Sequence, residues 1–165
     1  MLGATTAKGR NVALHEEQFM KRVITGHNPD GKSVFVSIGE PPRVVTSEHG
    51  NKITYCWGTQ RMPVVPASEG DPTPTMSSHF PSPGGTSFFI IEFAGNSESR
   101  MHFTDTVDYA MVVAGEIWLG LEDGAEMHLT LGDCVVQNGT RHAWYNRKPE
   151  PCVMVATMVG AERKD

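Results

Sequence analysis

Two stretches of the chain gather side chains that could do chemistry. The first runs Met101-His102-Phe103-Thr104-Asp105-Thr106-Val107-Asp108-Tyr109, with Gly115-Glu116 after it. The second runs from Gly132 through Gln137, Gly139 and Arg141 to His142-Ala143-Trp144-Tyr145-Asn146. Imidazole takes up and releases protons near neutral pH and is also a frequent metal ligand, so His102 and His142 draw attention first. In extended chain alternate residues share a face. His102 therefore falls with Thr104, and His142 with Trp144 and Asn146. Histidines on separate strands converge only if their sheets fold over one another. No other catalytic set competes: the chain has no Gly-x-Ser-x-Gly elbow, no P-loop and no dinucleotide fingerprint.

The elements that must position these residues are short. Apolar runs recur at 87–93, 100–104, 109–114, 117–121, 125–131, 134–137, 142–145 and 152–159. Turn signals divide them, among them Asp123-Gly124 and Asn138-Gly139, pairs that favour tight hairpins because glycine tolerates positive φ. Many short strands at even spacing predict an all-β sandwich or barrel rather than alternating strands and helices. Upstream, β-type runs at 33–38, 43–46 and 52–57 are separated by Asn28-Pro29-Asp30-Gly31 and Glu40-Pro41-Pro42. Residues 14–24 could instead form a short helix. Residues 61–86 are rich in Pro, Ser, Gly and Thr and read as one long loop, either a functional lid or a tolerated insertion. The expected organisation is one domain: N-terminal strands over 1–60 packing on the barrel or on a partner, the loop 61–86, and a barrel over 87–165.

The two stretches resemble the paired motifs of the cupin superfamily. In the first, His102 stands at the first histidine position, Thr104 at the second, Asp108 at the glutamate position and Gly115 at the closing glycine. In the second, Gly132, Gly139, His142 and Asn146 match, with Gln137 where the motif has proline. The stretch VITGHNPDGKSVFVSIGEPP also resembles the N-terminal segment of small cupins, so nearly the whole chain is covered. The resemblance implies a double-stranded β-helix, or jelly roll, with extra N-terminal strands. Many cupins hold iron, manganese, zinc or nickel through three histidines and a glutamate. Here the implied set is His102, Asp108 and His142, two imidazoles and one carboxylate, which is ligand chemistry suited to non-haem iron. Thr104 and Asp108 depart from the pattern, so the cofactor is either one divalent metal or none.

Three readings follow. In the first, an enzyme performs acid–base lyase or isomerase chemistry, such as dehydration or decarboxylation. His102 and His142 serve as base and acid, and Asp108 orients or polarises one of them. In the second, a metal-dependent oxygenase or lyase uses the same three residues as ligands. In the third, the barrel binds a small molecule without turning it over. Thr104 and Trp144 are the expected substrate contacts, and an aromatic or polyketide-like molecule is the expected partner. Tyr109 is expected to face outward, Arg141 and His79 to lie on the surface or in loops, and Met111, Met127, Met154 and Met158 to fill the core.

The 165 residues carry a net charge of −5 with no basic stripe, which argues against nucleic-acid binding. No apolar run approaches bilayer-spanning length, and MLGATTAKGRNVALHEE lacks the apolar core of a secretion signal. Cys56, Cys134 and Cys152 show no CxxC spacing and are expected to be buried reduced thiols. A cytoplasmic location, no membrane contact and a homodimer joined through the N-terminal segments are expected.

Overall fold

The computed structural model of the chain describes residues 20–67 and 70–164. Its strands are β1 (Arg22–His27), β2 (Ser33–Gly39), β3 (Val44–Thr46), β4 (Lys52–Thr59), β5 (Thr86–Phe93), β6 (Ser97–Glu98), β7 (Thr106–Ala114), β8 (Glu116–Leu121), β9 (Glu126–Thr130), β10 (Cys134–Asn138), β11 (His142–Asn146) and β12 (Cys152–Gly160). A six-stranded sheet runs β10-β7-β12-β5-β4-β3 and a four-stranded sheet runs β6-β11-β8-β9. β1 and β2 form a hairpin of their own. Phe93, Val112, Ile117, Leu129, Cys152 and Met154 pack together between the two larger sheets. This is the all-β jelly roll expected from the strand spacing.

Side-chain alternation explains the interior. Along β12, Cys152, Met154, Ala156 and Met158 are buried and every intervening residue is half-buried. Along β7, Val112 and Asp108 are buried while Tyr109, Met111 and Val113 are exposed. Packing is dense where Val112 meets Met154 and opens where Ala110 pairs with Ala156, because two methyl groups leave volume that larger side chains would fill. Beyond the alanines the same inward face carries Asp108, paired with Gln137 on one side and Met158 on the other. The barrel is therefore apolar and full toward one end and hollow with polar walls toward the other.

Several expectations need correction. Residues 100–104 form no strand; only His102 pairs, in a single bridge to His142. Arg22–Ile24 lie in β1 rather than a helix, and residues 14–19 fall outside the described residues. Met154 and Met158 are core, but Met111 is 46% exposed because it shares the outer face of β7 with Tyr109. Met127 is 62% exposed on β9, an edge strand on which only Leu129 is buried. All three cysteines are free, yet Cys134 is exposed, on the face of β10 opposite Gln137.

The N-terminal segments divide. β3 and β4 extend the six-stranded sheet beside β5. The β1–β2 hairpin stands apart, held at its base by Arg22, which donates to the Cys56 carbonyl (3.2 Å) and the Thr73 hydroxyl (2.8 Å) and pairs with Asp71. The Pro-rich segment closes back onto β12: Gly84 N–H donates to the Gly160 carbonyl at 3.0 Å, and Gly160 N–H to the Gly85 carbonyl at 2.9 Å. No helix among the described residues is long and apolar enough to cross a membrane.

Candidate active site

The backbone places the two histidines face to face. His102 N–H donates to the His142 carbonyl at 2.9 Å, and His142 N–H to the His102 carbonyl at 2.8 Å. Residues so paired project their side chains to the same side, and the ring centroids lie 4.4 Å apart at 49°. The sharp turn that returns the chain to His142 passes through Gly139 at φ +62°, where a Cβ would be strained. Arg163 ties the two loops together. Its guanidinium donates to the Thr104 carbonyl (3.0 Å), the Gly139 carbonyl (3.2 Å) and Asp105 (2.5 Å).

Both rings are held at Nδ1, by different groups. His102 Nδ1 lies 2.8 Å from the Arg100 carbonyl, which can only accept, so the proton is on Nδ1 and Nε2 carries the lone pair. His142 Nδ1 lies 2.8 Å from the amide nitrogen of buried Gln137. The same amide nitrogen lies 2.5 Å from the Thr140 hydroxyl and 3.1 Å from its carbonyl, and that carbonyl lies 3.0 Å from His142 Nδ1. His142 Nδ1 thus accepts from the amide, which leaves the ring proton on Nε2, or donates to the carbonyl, which leaves the lone pair there. Neither Nε2 makes a hydrogen bond to a described residue. His102 offers an acceptor to the cavity, and His142 offers a donor when Gln137 holds its Nδ1.

Both rings line a cavity of about 200 Å³. An engineered apolar cavity of roughly 150 Å³ holds benzene, so this one admits a molecule of single-ring size. Its walls include Thr104, Asp108 and Trp144, the remaining residues singled out in the sequence, together with Phe89, Phe93 and Met154. Trp144 packs edge-on to His142, with ring centroids at 5.8 Å, and against Phe93 at 5.9 Å. Its backbone N–H is held by the Ser99 hydroxyl at 2.8 Å. Thr104 accepts a 2.7 Å hydrogen bond from Thr106. Asp108 is buried, and its Oδ1 has no hydrogen-bond partner among the described residues. Burial raises the Asp108 carboxyl above the usual carboxylate range, partly offset by the Thr106 hydroxyl and the His102 ring. Burial also lowers His142, against the pull of the Thr140 carbonyl, with His102 lowering it further.

Tyr109 is 53% exposed, as its parity required, and Arg141 pairs with Glu122 at the surface. His79 is not a surface residue. It lines the cavity, its ring set against Phe89 (5.2 Å), Phe80 (4.0 Å) and Tyr55 (6.3 Å), and burial lowers its pKa to about 4. Nothing local to a Pro-rich loop signals that one histidine turns inward. Gln137 was legible in principle, since it alternates with Val135 on β10. Arg163 carried no signal.

The described residues do not fit a metal ion. No three His, Cys, Asp or Glu side chains among them converge into a group that could hold one. His102 and His142 come together, but Asp108 does not complete a ligand set with them.

Comparison with known proteins places the chain. No family model matches it. A phomopsin biosynthesis cluster protein of Diaporthe leptostromiformis is 35% identical over 150 residues, covering 86% of this chain and 78% of that one. A cupin-domain-containing oxidoreductase of Hypocrea virens is 32% identical over 133 residues, covering 76% of this chain and 66% of that one. The chain belongs to the cupin superfamily. An RmlC-like cupin of Shewanella frigidimarina shares the fold at TM-score 0.50 and 19% identity, over 77% of this cupin and 91% of that chain. The two histidine stretches are thus cupin motifs in which the second histidine is Thr104 and the glutamate is Asp108.

Proposed function

We propose that this cupin is an enzyme performing acid–base chemistry, a dehydration or isomerisation, on a small oxygenated molecule held in the barrel. The observation that carries the reading is the facing pair of imidazoles, 4.4 Å apart, each held at Nδ1 with its Nε2 unbound by any described residue. His102 Nε2, with its lone pair free, takes a proton from a carbon next to a carbonyl. With Gln137 donating to its Nδ1, His142 carries its proton on Nε2 and donates a hydrogen bond to that carbonyl oxygen as negative charge builds there, as a neutral imidazole can. Asp108, whose burial favours the protonated form, gives a proton to the departing hydroxyl, which leaves as water. His102 then holds the extra proton and Asp108 has lost one, so proton return from His102 to Asp108 restores the site. Trp144, Phe89 and Phe93 exclude water and pack the substrate's apolar part; Thr104 supplies a hydroxyl contact.

The test is proton exchange between a ring-sized ketone and D2O, followed by NMR in the presence of a chelator. The wild type is expected to exchange the proton beside the carbonyl. His102→Gln and His142→Gln should each lose about 10²–10⁴-fold, the range one general acid or base contributes, while keeping their thermal midpoint. Exchange that survives both substitutions would contradict the reading.

The naming of several relatives as oxidoreductases favours a second reading, redox chemistry with one divalent ion of iron, manganese, zinc or nickel. Elemental mass spectrometry on untagged protein decides between the two. Near-stoichiometric metal that is lost in His142→Ala would favour the second.

The reading also includes a cytoplasmic homodimer. β2 is exposed along its whole length, with Phe35, Val36 and Ile38 all more than half uncovered, and an isolated two-stranded hairpin is marginal in water.

A further inference from the structure

His79 is unexplained by the chemistry above. It comes from the Pro-rich segment, not from either cupin motif, yet it enters the same cavity as His102 and His142. Three aromatic rings, Tyr55, Phe80 and Phe89, hold it in place. Neither ring nitrogen makes a hydrogen bond to a described residue, and the ring is half-buried. A neutral imidazole has one donor and one acceptor nitrogen, so a ligand in the cavity can pair with either.

The rings that hold His79 stand on a different part of the sheet from Asp108. Tyr55 and Phe89 are paired neighbours on β4 and β5, whereas Asp108 and Gln137 are paired on β7 and β10. The sheet order puts β12 between β5 and β7, and Phe89 is level with Ala110, two residues along β7 from Asp108. His79 thus adds a polar group to the cavity wall apart from Asp108 and Gln137. Phe80 and His102 also line a groove outside the cavity, so the segment bearing His79 borders its mouth.

We propose that His79 is a specificity-determining residue. It binds an oxygen substituent, carbonyl or hydroxyl, of a single-ring substrate at a point other than the one His102 and His142 engage. The substrate class is a ring-sized molecule that carries two oxygen substituents. The proposal rests on the acid–base reading for which end of the substrate reacts, but the binding it describes does not need turnover.

Three probes of one shape separate the contributions: toluene, para-cresol and para-hydroxybenzaldehyde, titrated calorimetrically at neutral pH. In the wild type para-hydroxybenzaldehyde is expected to bind about tenfold more tightly than para-cresol, the increment of one hydrogen bond in a dry pocket. His79→Leu should abolish that increment while leaving toluene binding within about twofold, which shows that the pocket is intact. His79→Gln, which keeps a donor and an acceptor, should restore it to within about threefold. An increment that persists in His79→Leu, or is absent from the wild type, overturns the proposal and leaves the catalytic pair untouched. Failure of all three probes to bind the wild type overturns this proposal together with the reading that the cavity is the site.

Discussion

Asp108 shows how one side chain carries both a functional and a stability consequence. Its Oδ1 is buried without a partner among the described residues, and burial raises its pKa in the fold. A carboxyl that binds its proton more tightly when folded makes the folded state lose stability as pH rises from the unfolded carboxylate value through the folded one. Asp108→Asn is the same size and cannot ionise. It is expected to raise the melting temperature at pH 7 and to leave it little changed at pH 3, where the carboxyl is already protonated. Turnover should fall about 100-fold or more, because the amide cannot give up a proton. A variant less stable than wild type at pH 7 would show that the carboxylate is better satisfied than its surroundings indicate. The sequence displayed much at this scale. His102, Thr104, Asp108, His142 and Trp144 all line one cavity, because strand parity and two motifs converge on them. His79 was hidden because no periodic signal exists in a Pro-rich segment. Cys134 and Met111 were misjudged because apolar character was given more weight than parity.

At the scale of elements, the segment 70–86 is more than a connection. Thr73 and Met76 are buried, and Gly84 and Gly85 exchange hydrogen bonds with Gly160 at the end of β12. A Cβ at Gly160 would overlap the Ser82 carbonyl. Gly160→Ala must therefore push this segment off the strand. We expect a loss of about 1–3 kcal/mol, typical of overpacking, and faster amide exchange at Phe80–Gly85, with the β7–β12 pairing unaffected. Protection equal to wild type would mean the segment is not held there. Nearly every strand was legible from its apolar run and flanking turns. β1, read in part as a helix, and the two-residue β6 were not, and the run 100–104, though partly apolar, is tied by side-chain and loop contacts instead of a ladder. Only the bridge at His102 survives, and that single bridge is what sets the two imidazoles together.

For the whole molecule, the sheet topology closes a barrel and leaves one piece outside it. Among the described residues the β1–β2 hairpin has no neighbouring strand, and Arg22 anchors it to the barrel through Cys56, Asp71 and Thr73. Apolar strands so placed invite a second copy of the chain. Light scattering is expected to give twice the 18.0 kDa chain mass. Phe35→Ser combined with Ile38→Ser should shift the protein toward monomer without changing its near-ultraviolet circular dichroism. A wild-type monomer would contradict the expectation. Sequence patterning marked β2, β3 and β4 as β, missed β1, and could not say which would join the barrel. That depended on β4 finding β5 across the intervening Pro-rich segment, a pairing that no local signal encodes.

The central claim is that two facing imidazoles present unlike nitrogens to one substrate. Long-range proton–nitrogen NMR of the histidine rings in chelator-treated protein at neutral pH reads this without any substrate. The account predicts the His102 proton on Nδ1 and the His142 proton on Nε2, with Gln137→Leu moving the latter to Nδ1, where the Thr140 carbonyl lies 3.0 Å away. Both rings carrying their proton on the same nitrogen in the wild type would contradict it.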